Sequence, residues 1–232
     1  MLAIVHQTDA GPGVFAEAIV AAGGETDNWL LPEQPEPPAD PFGYDAVLVL
    51  GGAMNVDQEE SHGWLAGEKA LLAELLERER PLLGLCLGSQ LVAEAAGAKP
   101  RRAARPEIGW HAVELTPEGA EDPLLGPLAP QAEVFQWHSY EFPLPPGAVP
   151  LARSEVCLQA ARVGNAAWAI QFHPEVSAAD AQWWIEDYRS DPDAIAIGLD
   201  PEALRTETAA KIGVFNDLGR GICRRWLAVA AA

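Results

Sequence analysis

The sequence predicts an α/β protein with a mainly parallel central sheet and helices on both of its faces. Three observations carry that expectation. Continuously apolar runs, Val47-Leu48-Val49-Leu50 and Leu82-Leu83-Gly84-Leu85, suit strands buried on both sides. Segments with apolar residues at helical spacing alternate with them. Glycines stand at the ends of those strands, at Gly51-Gly52 and at Gly84 and Gly88, where such a sheet carries its functional site.

Taken in order, Leu2 to Gln7 reads as a first strand, Pro12 to Ala22 as a helix closed by Gly23-Gly24, and Thr26 to Leu31 as a second strand. Pro32 to Pro41 holds five prolines in ten residues, so it is an extended connection outside the sheet. Tyr44 to Leu50 is the next strand. Trp64 to Arg80, with leucines at 65, 71, 72, 75 and 76, is an amphipathic helix expected to stop at Pro81. Leu82 to Leu85 is a buried strand and Leu87 to Ala96 a helix ended by Gly97. The period then changes: Trp110 to Leu115, Glu133 to Trp137, Val149 to Ala152, Val156 to Val163 and Ala166 to Gln171 read as short strands. Helices return over Ala179 to Tyr188 and Thr206 to Val229, with Trp183, Trp184 and Trp226 as core anchors.

Composition narrows the class. Fifteen basic against thirty-four acidic residues give a net charge of −19, which opposes binding to nucleic acid or an anionic membrane and favours a soluble cytoplasmic protein. Cys86, Cys157 and Cys223 form no CxxC pair and no complete disulfide set, as expected of a reducing compartment, and Cys157 and Cys223 read as packing residues. Nothing at the N-terminus resembles a signal peptide, and no apolar stretch is long enough to span a membrane.

Two segments carry chemistry. Gly84-Leu-Cys86-Leu-Gly88 puts a cysteine at a strand-turn-helix elbow, with small residues two positions either side to allow a strained turn and a helix N-terminus facing the thiol. After the strand ending at Gln171 comes His173-Pro-Glu175. Pro174 keeps His173 extended, so the imidazole and the carboxylate two residues on share one face, as a base and its orienting partner must. His6, His62 and His111 have no partner nearby in sequence and read as incidental. No His, Cys or carboxylate cluster has the spacing of a catalytic metal site, and no cofactor is implied.

With Gly51-Gly52, Gly84-Leu-Cys86-Leu-Gly88-Ser-Gln90 and Gln171-Phe-His173-Pro-Glu175 in that order, the chain resembles a triad-type class I glutamine amidotransferase. It is most similar to the free-standing branch related to the glutaminase part of guanosine monophosphate synthase, which Glu107-Ile-Gly-Trp110 and Phe135-Gln-Trp-His-Ser-Tyr140 also fit. The resemblance implies a flavodoxin-like amidotransferase domain over 1–190, with the short-strand region added to it and 191–232 as a helical extension packed on the same domain. It makes Cys86 the nucleophile, His173 the general base and acid, and Glu175 its orienting carboxylate. The backbone N–H groups of Gly52 and Leu87 would form the oxyanion hole, and Gln90, Trp137, His138, Ser139 and Tyr140 would hold the amino-acid end of glutamine, His138 itself as a structural histidine. The implied reaction releases ammonia from glutamine, or cleaves a related γ-glutamyl amide, through a Cys86 thioester. The chain contains no nucleotide-binding P-loop, so the ammonia acceptor is expected to be a separate synthetase subunit, or the enzyme acts alone. A Cys-elbow peptidase-type hydrolase, which usually carries histidine where this chain has Leu87, and a non-catalytic regulatory protein retaining the fold are the alternatives.

Overall fold

Odd and even residues of the central strands enter different cores, and this alternation builds the molecule. The computed structural model describes residues 1–231; the last residue of the 191–232 extension lies outside them. Strands β1 (Leu2–Val5), β2 (Asp27–Leu30), β3 (Val47–Val49), β4 (Leu82–Leu85) and β9 (Ala167–Ile170) pair in parallel, and β5 (Arg101–Leu115), β6 (Gln131–Glu141), β7 (Val149–Arg153) and β8 (Leu158–Val163) extend the same sheet antiparallel. The nine strands follow the order β2-β1-β3-β4-β9-β8-β7-β5-β6. The β-rich region read from the sequence is therefore continuous with the parallel half.

One core joins Ala3, Leu48, Leu83 and Leu85 to α1 (Gly13–Ala21), α5 (Ala178–Glu186) and α7 (Pro201–Ala230) through Phe15, Ile185, Phe215 and Trp226. The other joins Leu2, Ile4, Val47, Val49 and Leu82 to α2 (Trp64–Glu77) and α3 (Leu87–Ala95) through Leu65, Leu72, Leu75 and Leu91. Helices thus cover both faces, and each of the buried leucine, isoleucine, valine and phenylalanine side chains contributes about 1.5–3 kcal/mol. Two short α-helices, α4 (Pro117–Ala120) and α6 (Pro192–Ala196), and three single-turn 3-10 helices lie in the connections. Among the described residues no helix is long and apolar enough to cross a membrane.

Several boundaries differ from the sequence expectation. Helix α2 ends at Glu77, ahead of Pro81: Glu79 takes φ +49°, and the N–H groups of Glu79 and Arg80 return to the carbonyls of Leu76 and Leu75. Strand β3 is shorter than Tyr44 to Leu50, and β8 begins at Leu158 because the Ser154 hydroxyl accepts the Val156 and Cys157 N–H groups in a turn. Helix α7 starts at Pro201, five residues before Thr206, capped by the Asp200 carboxylate on the N–H groups of Glu202 and Ala203.

Candidate active site

Cys86 is the single residue between β4 and α3, with φ +51° and ψ −111°. A non-glycine residue in that conformation costs roughly 1–3 kcal/mol and persists only where its surroundings determine it. They do so here. Its N–H donates to the Ile170 carbonyl at 2.9 Å, and its own carbonyl accepts the N–H groups of Ser89 and Gln90 at 3.0 and 3.2 Å. The flanking glycines are required by close approach: a β-carbon at Gly84 would lie 2.4 Å from the Gly88 carbonyl oxygen, and one at Gly88 would lie 2.2 Å from that of Val49.

His173 lies three residues beyond β9, where its N–H donates to the Phe135 carbonyl at 3.0 Å. Its Nδ1 lies 2.8 Å from Glu175 Oε1, and since a carboxylate only accepts, Nδ1 carries the proton. Both side chains are buried, and the edge of Trp184 fixes the imidazole plane at a centroid distance of 4.8 Å. His173 Nε2 has no hydrogen-bonded partner among the described residues. Cys86 and His173 meet across Gly51, where a β-carbon would sit 3.5 Å from Cys86 Cβ and 3.1 Å from His173 Cε1. Burial alone would push the imidazole down; the Cys86 sulfur and the Glu175 carboxylate overcome it and hold His173 well above the usual histidine range.

Helices α1 and α7 also hold this loop. Val14 N–H donates to the Glu175 carbonyl at 2.8 Å, Asn216 Nδ2 donates to the Val176 carbonyl at 2.7 Å, and Gly219 lies directly against the Pro174 carbonyl.

A cavity of about 680 Å³ opens over Cys86 and His173, and Gly52, Leu87, Gln90, Trp137, His138, Ser139 and Tyr140 all line it. Glu175 stands behind His173, outside the lining. The Cys86 thiol points to the Trp137 carbonyl at 3.7 Å, while Gln90 Nε2 reaches the Tyr140 carbonyl at 3.2 Å and Gln171 Oε1 at 3.3 Å. Tyr140 donates to Asp57, and Trp137 Nε1 donates to Asp191.

Two sequence readings need correction. Trp183 is 49% exposed at the cavity and is no core anchor; Trp184 packs against the core as well as on His173, and Trp226 is fully buried. His6 is fully buried, with Nε2 3.0 Å from Glu68 Oε1 and Nδ1 3.1 Å from the Gly51 carbonyl oxygen. Its partner, Glu68, lies on helix α2, far along the chain, so no local signal in the sequence could reveal it.

The buried group Glu107, His138 and Cys157 brings three ligand-type atoms within 4.8 Å of one another. His138 Nε2 lies 3.3 Å from Glu107 Oε2 with no hydrogen-bonded partner among the described residues. Glu107 Oε2 accepts from Gln159 Nε2 at 2.8 Å, Ser154 Oγ at 3.0 Å and Cys157 Sγ at 3.4 Å. His138 Nδ1 donates to the Tyr140 carbonyl at 2.9 Å.

The family model for class-I glutamine amidotransferases matches residues 18–185. A glutamine amidotransferase-like protein, YfeJ of Salmonella typhimurium, is 29% identical over 190 residues, covering 79% of this chain and 78% of its own length. One subunit of the glutamine-hydrolysing GMP synthase of Sulfolobus acidocaldarius is 39% identical over 57% of this chain and 68% of its own. A crystal structure of a glutamine amidotransferase from Thermotoga maritima superposes with a TM-score of 0.88 at 31% identity, covering 97% of this chain and 96% of that one.

Proposed function

The chain belongs to the class I glutamine amidotransferase family, and from that premise we propose that it hydrolyses the side-chain amide of glutamine, or of a related γ-glutamyl compound, to release ammonia. The observation that carries this reading is the buried His173–Glu175 pair at 2.8 Å, with the second imidazole nitrogen unpartnered beside a cysteine at a strained elbow. Cys86 attacks the amide carbon, and the N–H groups of Gly52 and Leu87 receive the negative oxygen that forms. His173, held charged by its two neighbours, gives its proton to the departing nitrogen. Water activated by the neutral imidazole then splits the γ-glutamyl thioester, and glutamate leaves with the thiol restored. Glu175 keeps the ring in the tautomer that both steps need. Gln90 and the segment Trp137 to Tyr140 hold the amino-acid end. Residues 1–190 act as the amidotransferase domain, with 191–232 an extension of it that braces the histidine loop.

The test is ammonia and glutamate release by Cys86→Ala, His173→Ala and Glu175→Gln. Cys86→Ala is expected to be inactive, His173→Ala to lose on the order of 10⁶-fold, and Glu175→Gln to lose less, on the order of 10⁴-fold. Full activity in Cys86→Ala overturns the mechanism. Several relatives are named as one subunit of a glutamine-hydrolysing GMP synthase, which favours a second reading in which the ammonia passes to a separate synthetase subunit. Assaying γ-glutamyl amides with and without cell extract separates the two: turnover that needs extract supports the partner.

A further inference from the structure

His6 and Gln7 leave the end of β1 directly beneath the Gly51-Gly52-Ala53 turn and grip it at two points. His6 Nδ1 lies 3.1 Å from the Gly51 carbonyl oxygen, and Gln7 Oε1 accepts the Ala53 N–H at 2.6 Å. Behind His6, the Glu68 carboxylate on α2 meets Nε2 at 3.0 and 3.2 Å, and Trp64 stacks on the ring at 5.4 Å. Both His6 and Glu68 are buried, at 1% and 2% exposure. The Gly51 carbonyl can only accept, so Nδ1 carries a proton and donates to it, while Nε2 faces the Glu68 carboxyl group. Burial would push this histidine down, and the Glu68 charge with the Gly51 carbonyl raises it instead.

A peptide unit is planar and trans, so fixing the direction of one carbonyl fixes the opposite direction for the N–H that shares its plane. The Gly51 carbonyl and the Gly52 N–H are such a pair. With the Gly51 carbonyl turned to His6 and the Ala53 N–H held by Gln7, the Gly52 N–H is left without a protein acceptor among the described residues, on the wall of the cavity that holds Cys86. A β-carbon at Gly52 would lie 2.9 Å from His6 Cβ, so the base of the His6 side chain stands immediately beside this unit. We propose that the His6–Glu68 pair is a positioning device that sets the orientation of the Gly51–Gly52 peptide and so holds one donor of the oxyanion hole in place. This rests on the acyl-transfer reading above and goes beyond it. The fold itself forms the hole, and His6 and Glu68 act on the transition state without touching the substrate.

Two paired replacements test this without stranding a buried charge. His6→Leu with Glu68→Met removes every donor to the Gly51 carbonyl, whereas His6→Asn with Glu68→Gln keeps a side-chain N–H near the position of Nδ1. The expected result is a loss in kcat of about 10²–10³-fold in the first, the range set by removing an oxyanion donor, with KM for glutamine within about threefold of wild type. The second should recover to within about tenfold. Melting temperatures measured on both separate positioning from stability. Activity that follows melting temperature and ignores the donor, or a loss confined to KM, overturns the proposal. Hydrolysis of p-nitrophenyl acetate by the isolated chain reads the same hole without glutamine recognition. If glutamine is not turned over but the ester is, in a Cys86-dependent way, the glutamine reading fails while the paired variants still decide the role of His6. If the wild type cleaves neither, the positioning role is overturned as well.

Discussion

Under the proposed mechanism the nitrogen leaves as ammonia only if His173 holds a proton at that moment. Burial disfavours the charged ring, yet the Cys86 sulfur and Glu175 raise it well above the ordinary value and so favour the protonated ring. A raised histidine contributes stability that is fully present below its unfolded value, near 6.5, and is lost as pH rises through the folded one. Activity should follow the same sign: kcat/KM for glutamine falls on an alkaline limb above neutrality. Replacing Glu175 by Gln removes one of the two raising charges, so that limb should move to lower pH as the rate drops. A pH–rate profile of both proteins measures this, and an unmoved limb would remove Glu175 from the proposed pairing. These three residues were legible in the sequence because each sits in a short motif whose spacing fixes its side of the chain: two glycines around Cys86, and one proline between His173 and Glu175. His6 was not, since its meaning lies in Glu68, sixty-two positions away on α2.

Helix α7 offers a matched pair of glycines with opposite expectations. At Gly213 a β-carbon would meet nothing within 4 Å, whereas at Gly219 it would lie 2.0 Å from the Pro174 carbonyl oxygen. Gly213→Ala should therefore stabilise by about 0.5–1 kcal/mol through helix propensity alone. Gly219→Ala should destabilise by about 1–3 kcal/mol through overpacking. Each kcal/mol corresponds to about 2–4 °C in melting temperature for a chain of this size. Because Pro174 separates His173 from Glu175, Gly219→Ala should also lower kcat, and Gly213→Ala should leave it unchanged. Equal effects from the two would mean that α7 does not brace the histidine loop. Here the sequence was only partly readable. Strand β4 lies where its apolar run suggested, but β5 runs from Arg101 to Leu115, against an expected start at Trp110. Its first half is a charged ribbon paired with β6 around an irregularity between Arg102 and Glu107, where Pro106 donates no hydrogen bond, so it lacks the apolar alternation that marks a strand. The start of α7 did carry a signal, the Asp200-Pro201 cap, repeated at Asp191-Pro192 before α6.

Strand order alone separates β6 from β4 by four intervening strands, yet Cys86 at the end of β4 reaches the Trp137 carbonyl on β6. The sheet curls until its antiparallel edge returns over the parallel half, and that curl makes the cavity; a register of pairings many residues apart creates it, which local patterning does not encode. The curled molecule carries thirty-four acidic and fifteen basic residues, an excess of nineteen negative charges. Many of the cations are already matched at the surface: Lys69 with Glu59 and Glu94, Lys211 with Glu133 and Glu207, Arg220 with Glu17 and Asp217. Salt acts on both populations. It weakens exposed pairs, each worth about 0–1 kcal/mol, and it screens the repulsion among the unmatched carboxylates, which acts over longer distances. The second effect is the larger where acids outnumber bases by more than two to one. Raising sodium chloride from about 20 to about 500 mM, which shortens the screening length from roughly 20 to roughly 4 Å, should therefore raise the melting temperature. A calorimetric salt series measures the slope. A fall would mean that the surface pairs outweigh the excess charge, and that the acidity of this chain has no cost for its fold.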